Sequence, residues 1–333
     1  MTDVTMSLLA LASDGIEHAL GEISRRYGRD CNPGQSCEFS FVAGQTIGTF
    51  LRAGKLAEAM VLSGPEVSLV RLAAAFSSIA QVWEEDRMPD GEIFCIIDFV
   101  KSKQASVDEL EQWLRGKNPE GFGGLQKALL REAIMATVVD VDSGGALFQP
   151  NLQDDSHPVV LAVALADLGS AGMDGAGFVF DAKPKFRDAN IDISNAIKKA
   201  NLQKEIPEEL RNSNGGNGFK SDCSQGKHEA SISAIRKWNK QKEIPPQKQK
   251  EYKERIFSYL EDLIEYVDSR RMRLEVELGD LGDKQKAQVR PLFCGFEDAK
   301  QSVVEFFEFC QDKDFWHIAK AMRYRVLKTW EPA

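Results

Sequence analysis

Tyr252, Ile256, Tyr259, Leu263, Val267 and Leu274 follow one another at steps of three, four or seven residues. That spacing marks one continuous face of an α-helix and excludes a strand, whose apolar residues alternate. A long helix with such a face must bury it against other helices. The rest of the chain offers partners of the same kind. Leu9, Ile16, Leu20, Ile23 and Tyr27 keep helical spacing near the N-terminus. Further helical patterns run over about 41–62, from Pro65 to Trp83, over DELEQWLRG, and from Leu125 to Val138. Pro65 suits a first helical turn. Ser106, with Glu109 three residues later, reads as a capping box opening DELEQWLRG. Pro158 opens one more helix, through the apolar run VVLAVALA. EFSFVAG and EIFCIIDFV are the best strand candidates, and both also fit helices. No internal repeat is visible. The expected fold is all-α, a multi-helix globular bundle. An N-terminal helical subdomain over 1–120 would pack on a larger helical domain over 121–333, as two bodies or as one unit.

Composition sets the outer limits. Hydrophobic residues make up 43% of the 333 positions and charged residues 28%, as in chains that bury a core. The longest apolar run, Val159 to Ala166, is far short of the roughly 20 residues that a membrane-spanning helix needs. The start, MTDVTMSLLALASDGIEHAL, has no basic region ahead of its apolar residues, so a cytoplasmic protein is expected. Six cysteines form no CxxC pair, which favours reduced thiols over zinc or disulfides. The net charge is −9, yet Lys183 to Arg255 holds 17 Lys or Arg against 10 Asp or Glu. An acidic body disfavours nucleic acid as a partner, while one basic segment suits an anion or phosphate.

Familiar catalytic motifs are scarce. GGNGFKS, at 215–221, departs from a phosphate-binding loop because Phe219 separates glycine from lysine and no strand precedes it. His18, His157, His228 and His317 form no H-x-x-x-H pair, and there is no G-x-S-x-G elbow. What stands out is ALADLGSAG, where a buried-looking helix finishes on Asp167 and breaks at Gly169. A carboxylate in a last helical turn opposes the helix dipole by about 0.3–1 kcal/mol. Such an acid either caps the next turn or faces water, or else is wanted for its charge.

Asp167-Leu168-Gly169 resembles the central motif of HD-domain proteins, all-helical phosphohydrolases in which the phrase usually reads LLHDIGK or similar. YVDSRR, at 266–271, is similar to the later aspartate phrase of that family, and the resemblance spans about 125–280. It implies a divalent metal, Mg²⁺ or Mn²⁺, held by Asp167 and Asp268. His228 would be a third ligand or general base, and Arg270 or Arg271 a phosphate clamp. Two family ligands are missing. Ala166 stands where the motif histidine belongs, and no histidine lies between Leu125 and Val138. The expectation is therefore an HD-like protein with a degraded metal site that binds a phosphate-containing small molecule or a protein partner. Retained metal-dependent phosphohydrolysis and a helical interaction scaffold are the alternatives. Arg270, Arg271 and Arg273 have a plainer reading too, as a solvated helix end paired with Glu261, Glu265 and Glu275.

Two aromatic-rich helices close the chain over 296–330. Phe315, Trp316, Met322, Tyr324 and Trp330, with Arg323 and Arg325, suit either an interface, a homo-oligomeric one included, or docking on the protein's own core.

Overall fold

Ala-rich helices can approach closely, and two of them make the centre of this protein. A computed structural model describes residues 2–27, 39–87, 93–117, 123–141, 147–153, 155–179, 244–279 and 281–323. In chain order these contain α1 (Thr2–Tyr27), α2 (Phe39–Ala59), α3 (Gly64–Phe76), α4 (Phe99–Lys117), α5 (Gly124–Met135), α6 (Pro158–Asp167) and α7 (Ser170–Met173). After the segment 180–243 come α8 (Pro246–Glu277), α9 (Asp283–Val289), α10 (Phe296–Gln311) and α11 (Phe315–Arg323). The described chain is mostly helical, as an all-α bundle requires. Its strands form two short antiparallel hairpins, β1 (Trp83–Arg87) with β2 (Ile93–Ile97), and β3 (Asp140–Val141) with β4 (Leu147–Phe148).

From Val159 to Ala166, only Leu161 keeps any appreciable exposure. A helix apolar on every side belongs inside a bundle, and α6 is packed by α2, α3 and α5. Helix α3, with Ala73, Ala74 and Ala75 fully buried, touches α1, α2, α4, α5 and α6. Helix α8 lies against α10 and α11, and reaches the first group through β4 and α7. Among the described residues one cluster of buried side chains takes members from Leu11 in α1 to Met322 in α11.

Several local expectations shift. The buried face of α1 carries Leu11, Ala12, Gly15, Ala19 and Ile23, whereas Leu9 is exposed. Small residues set this face: a Cβ on Gly15 would fall 2.3 Å from Leu72 Cδ1, so α1 meets α3 at close range. FSFVAG lies in α2, while IFCII is indeed a strand. Helix α3 stops at Phe76 rather than Trp83, which opens β1. Its start is fixed by Glu66, whose carboxylate accepts from the Ser63 backbone N–H at 2.8 Å and hydroxyl at 2.6 Å. The Ser63 hydroxyl holds the Glu66 carboxyl below its ordinary value, against the effect of burial. Ser106 opens no helix. Helix α4 begins seven residues earlier, where Asp98 Oδ1 accepts the Lys101 N–H at 2.9 Å. Ser106 Oγ instead takes the Ala80 N–H at 3.2 Å inside the core.

The terminal helix α11 docks on α8. Phe315 and Met322 are buried, and the Phe315 ring sits 5.7 Å from that of Tyr252. Tyr324, Arg325 and Trp330 lie outside the described residues, as do GGNGFKS and Trp238. Among the described residues no helix is long and apolar enough to cross a membrane.

Candidate functional site

The C-terminal end of α6 meets two buried cations. Arg52 on α2 donates through Nε to the Ala166 carbonyl at 2.8 Å and pairs with the Asp174 carboxylate. Lys103 on α4 donates to the Ser77 carbonyl at 3.0 Å and faces Asp167, with Nζ to Oδ1 at 3.8 Å. Both side chains of this second pair are 4% exposed. Cations at a helix C-terminus complement the dipole and donate to its free carbonyls. Arg52 therefore serves α6, and Lys103 serves α3. The ammonium also answers the Asp167 charge, which neither faces water nor caps the next turn through Oδ1. At 3.8 Å the pair is ionic without a hydrogen bond, and Asp167 Oδ1 has no other partner. Burial pushes the Lys103 ammonium below its ordinary value, and Asp167 opposes that fall. Burial likewise pushes the Tyr266 phenol up. Arg270 and Arg52 counter that rise, while Asp167 and Glu277 add to it.

The charged residues of α8 divide by helical face. Arg270 is 1% exposed and grips Glu277 with two bonds of 2.8 Å. Burial works against its charge, but Glu277 more than offsets it and holds the guanidinium above its ordinary value. Arg271 is exposed and paired with Glu297. Asp268 is half exposed and bound by Lys300 at 2.6 Å. Neither arginine pairs as the sequence suggests: the partners are Glu277 and Glu297, while Glu275 is taken by Arg290.

The four described residues of the expected metal and phosphate site thus form no single cluster: Arg270 is buried, Asp268 and Arg271 are exposed or half exposed, and each has a partner of its own. Tyr266 and Arg270, four residues apart, share the face of α8 turned toward Asp167. Asp268, two residues from Tyr266, points elsewhere, because positions two apart on a helix do not face one another. Each aspartate has its own lysine, and they do not converge on one cation. Arg270 is consumed by Glu277. His228 lies outside the described residues. Among the described residues no group of three or more His, Cys, Asp or Glu is arranged to hold a metal ion.

A cleft of about 250 Å³ opens nearby, between the loop before α6, the C-terminal part of α8, and α9. Its polar lining includes Gln149, Gln153, Asp155, Ser156, Arg273 and Gln285, and its apolar lining Leu152, Leu161, Val276 and Leu281. Gln149 is 4% exposed; its Nε2 donates to the Ala164 carbonyl at 2.9 Å, which fixes Oε1 as an acceptor without a partner. Arg273 lies with its guanidinium 5.7 Å from the Phe148 ring centre and 4.0 Å from Glu277, and its Nε has no hydrogen-bond partner. Ligand sites are usually concave, largely apolar and marked by a few convergent polar groups.

Lys103, Arg52 and Gln149 are the residues that motif reading passes over. The first two carry a signal of another kind: they sit in phase with the core. Lys103 precedes Val107, Leu110 and Leu114 at steps of four, three and four, and Arg52 precedes Leu56 and Met60 at steps of four. A cation on an apolar stripe implies a buried partner. Comparison with protein-family models, curated proteins and solved structures finds no match to this chain.

Proposed function

We propose that the protein is a non-catalytic, HD-like helical protein that binds a small polar molecule in the cleft between α8 and the loop before α6. The Lys103–Asp167 pair carries this reading. In the HD resemblance Asp167 would face a divalent metal, and in this chain it faces an ammonium at 3.8 Å instead. A metal placed at Asp167 would sit against that ammonium in a low-dielectric surrounding, where like charges repel strongly. Asp268 answers to Lys300 and adds no second ligand. Water activation requires a cation held at an open position by a sufficient ligand set, and these carboxylates are committed elsewhere. The binding half is supported by Gln149 and Arg273, two lining residues of one cleft that each hold a buried polar atom without a hydrogen-bond partner.

Two measurements on the purified chain test this function. A thermal-shift screen of small polar metabolites should find a stabilising ligand whose effect disappears in Arg273→Gln. A phosphoester screen with Mn²⁺ should show no turnover above background. Metal-dependent turnover lost in Asp167→Ala would overturn the reading in favour of hydrolysis.

A further inference from the structure

We infer that the cleft takes a small zwitterion, an aliphatic α-amino acid, which narrows the ligand class and rests on the binding function proposed above. Opposite charges line it from separate elements. Arg273 comes from α8, while Asp155 comes from the loop that leads into α6. A guanidinium is a strong partner for a carboxylate, and a carboxylate is the usual partner for an ammonium. Glu277 also lines the cleft, but its charge is met by Arg270 through two 2.8 Å bonds. Leu152, Leu161, Val276 and Leu281 supply the apolar surface that an aliphatic side chain would cover. Gln149, a lining residue whose buried Oε1 has no hydrogen-bond partner, offers that oxygen as acceptor for a second ammonium proton. At about 250 Å³ the space admits a single amino acid and is below the range of roughly 300–1,000 Å³ in which drug-sized ligands bind.

The test is calorimetric titration of the full chain with L-valine, L-leucine and L-isoleucine. Leucinamide, which lacks the carboxylate, and 4-methylpentanoate, which lacks the amine, serve as controls. At least one amino acid should bind, and each control should bind roughly tenfold to a hundredfold more weakly, the usual worth of a hydrogen bond to a charged group. Arg273→Gln and Asp155→Asn, both at exposed or half-exposed side chains, should weaken binding by the same range while the protein stays folded by circular dichroism. Amino-acid binding that neither variant changes would overturn the assignment to this cleft. Binding of glucose or 3-hydroxybutyrate instead, lost in Gln149→Leu, would overturn the ligand class and leave the binding function standing. Silence with all three amino acids would overturn the ligand class, and silence with every probe together with Mn²⁺-dependent phosphoester turnover would overturn both.

Discussion

Replacing Lys103 with methionine keeps most of the side-chain volume and removes the ammonium that faces Asp167. Asp167 would then hold a charge at 4% exposure with no counter-ion, and the Ser77 carbonyl would lose its 3.0 Å donor. Deleting one partner of a buried pair costs about 3–5 kcal/mol, because the surviving charge stays desolvated. For a chain of this size that corresponds to a fall in thermal midpoint of roughly 10 °C. The double variant Lys103→Met/Asp167→Asn removes both charges and should recover about half the loss or more, since neutral replacement of a buried pair is often tolerated. Urea denaturation of the wild type, both single variants and the double variant closes the cycle. A loss under about 1 kcal/mol in Lys103→Met, or a double variant equal to the sum of the singles, would refute a coupled buried pair. The pair also has a pH signature. The folded-state value of Lys103 lies below the ordinary 10.5, so the unfolded chain binds more protons in the alkaline range just below that value. The stability advantage of the wild type over Lys103→Met should therefore grow as pH rises toward 10.5.

Other perturbations read other parts of the fold. Val61 follows α2 at φ 57° and is 68% exposed, a left-handed conformation that a β-branched residue adopts at a cost; Val61→Gly should stabilise by about 0.5–1 kcal/mol in the same urea assay. At Gly172 a Cβ would stand 2.7 Å from the Phe296 ring, and the Gly172 carbonyl already accepts the Gly295 N–H at 2.7 Å. Gly172→Ala should therefore lower stability by about 1–3 kcal/mol, and an unchanged midpoint would show that α7 and α10 are not tightly apposed. Ser63→Ala removes the hydroxyl that holds Glu66 and should cost about 0.5–2 kcal/mol near neutral pH. Glu66 contributes above its unfolded value of 4.5 and loses that contribution as acid drives pH down through its lower folded value. The deficit of Ser63→Ala should accordingly shrink in acid.

The bundle was legible because its helices obey a single period: Ile256, Leu263, Val267 and Leu274 are buried where the spacing places them. Proline gave the start of α6, but two boundaries escaped: α3 ends at Ser77, whose hydroxyl donates locally to the Ala74 carbonyl, and α4 starts well before Ser106, whose hydroxyl serves a tertiary bond rather than a cap. The N-terminal helix was rotated in the reading for a similar reason. A periodicity count favours large residues, whereas α1 is seated by Gly15 and Ala19, whose value is their smallness. Asp167 drew notice as an acid ending an apolar helix. Its partner did not, since Lys103 lies 64 positions earlier and only the packing of α4 against α3 and α5 brings the ammonium there. Arg270 looked like a free clamp, although its phase with Leu263, Val267 and Leu274 already marked it as an inward residue. The cleft had no motif at all, being assembled from a loop, a helix end and a short helix distant in sequence.

Titrating the full chain with Mn²⁺ under electron paramagnetic resonance measures directly whether the Asp167 charge is answered by metal or by lysine. With Lys103 in place, the free-ion signal should persist undiminished up to millimolar metal in wild type and Asp167→Ala alike. Stoichiometric loss of that signal in wild type, restored by Asp167→Ala, would contradict it.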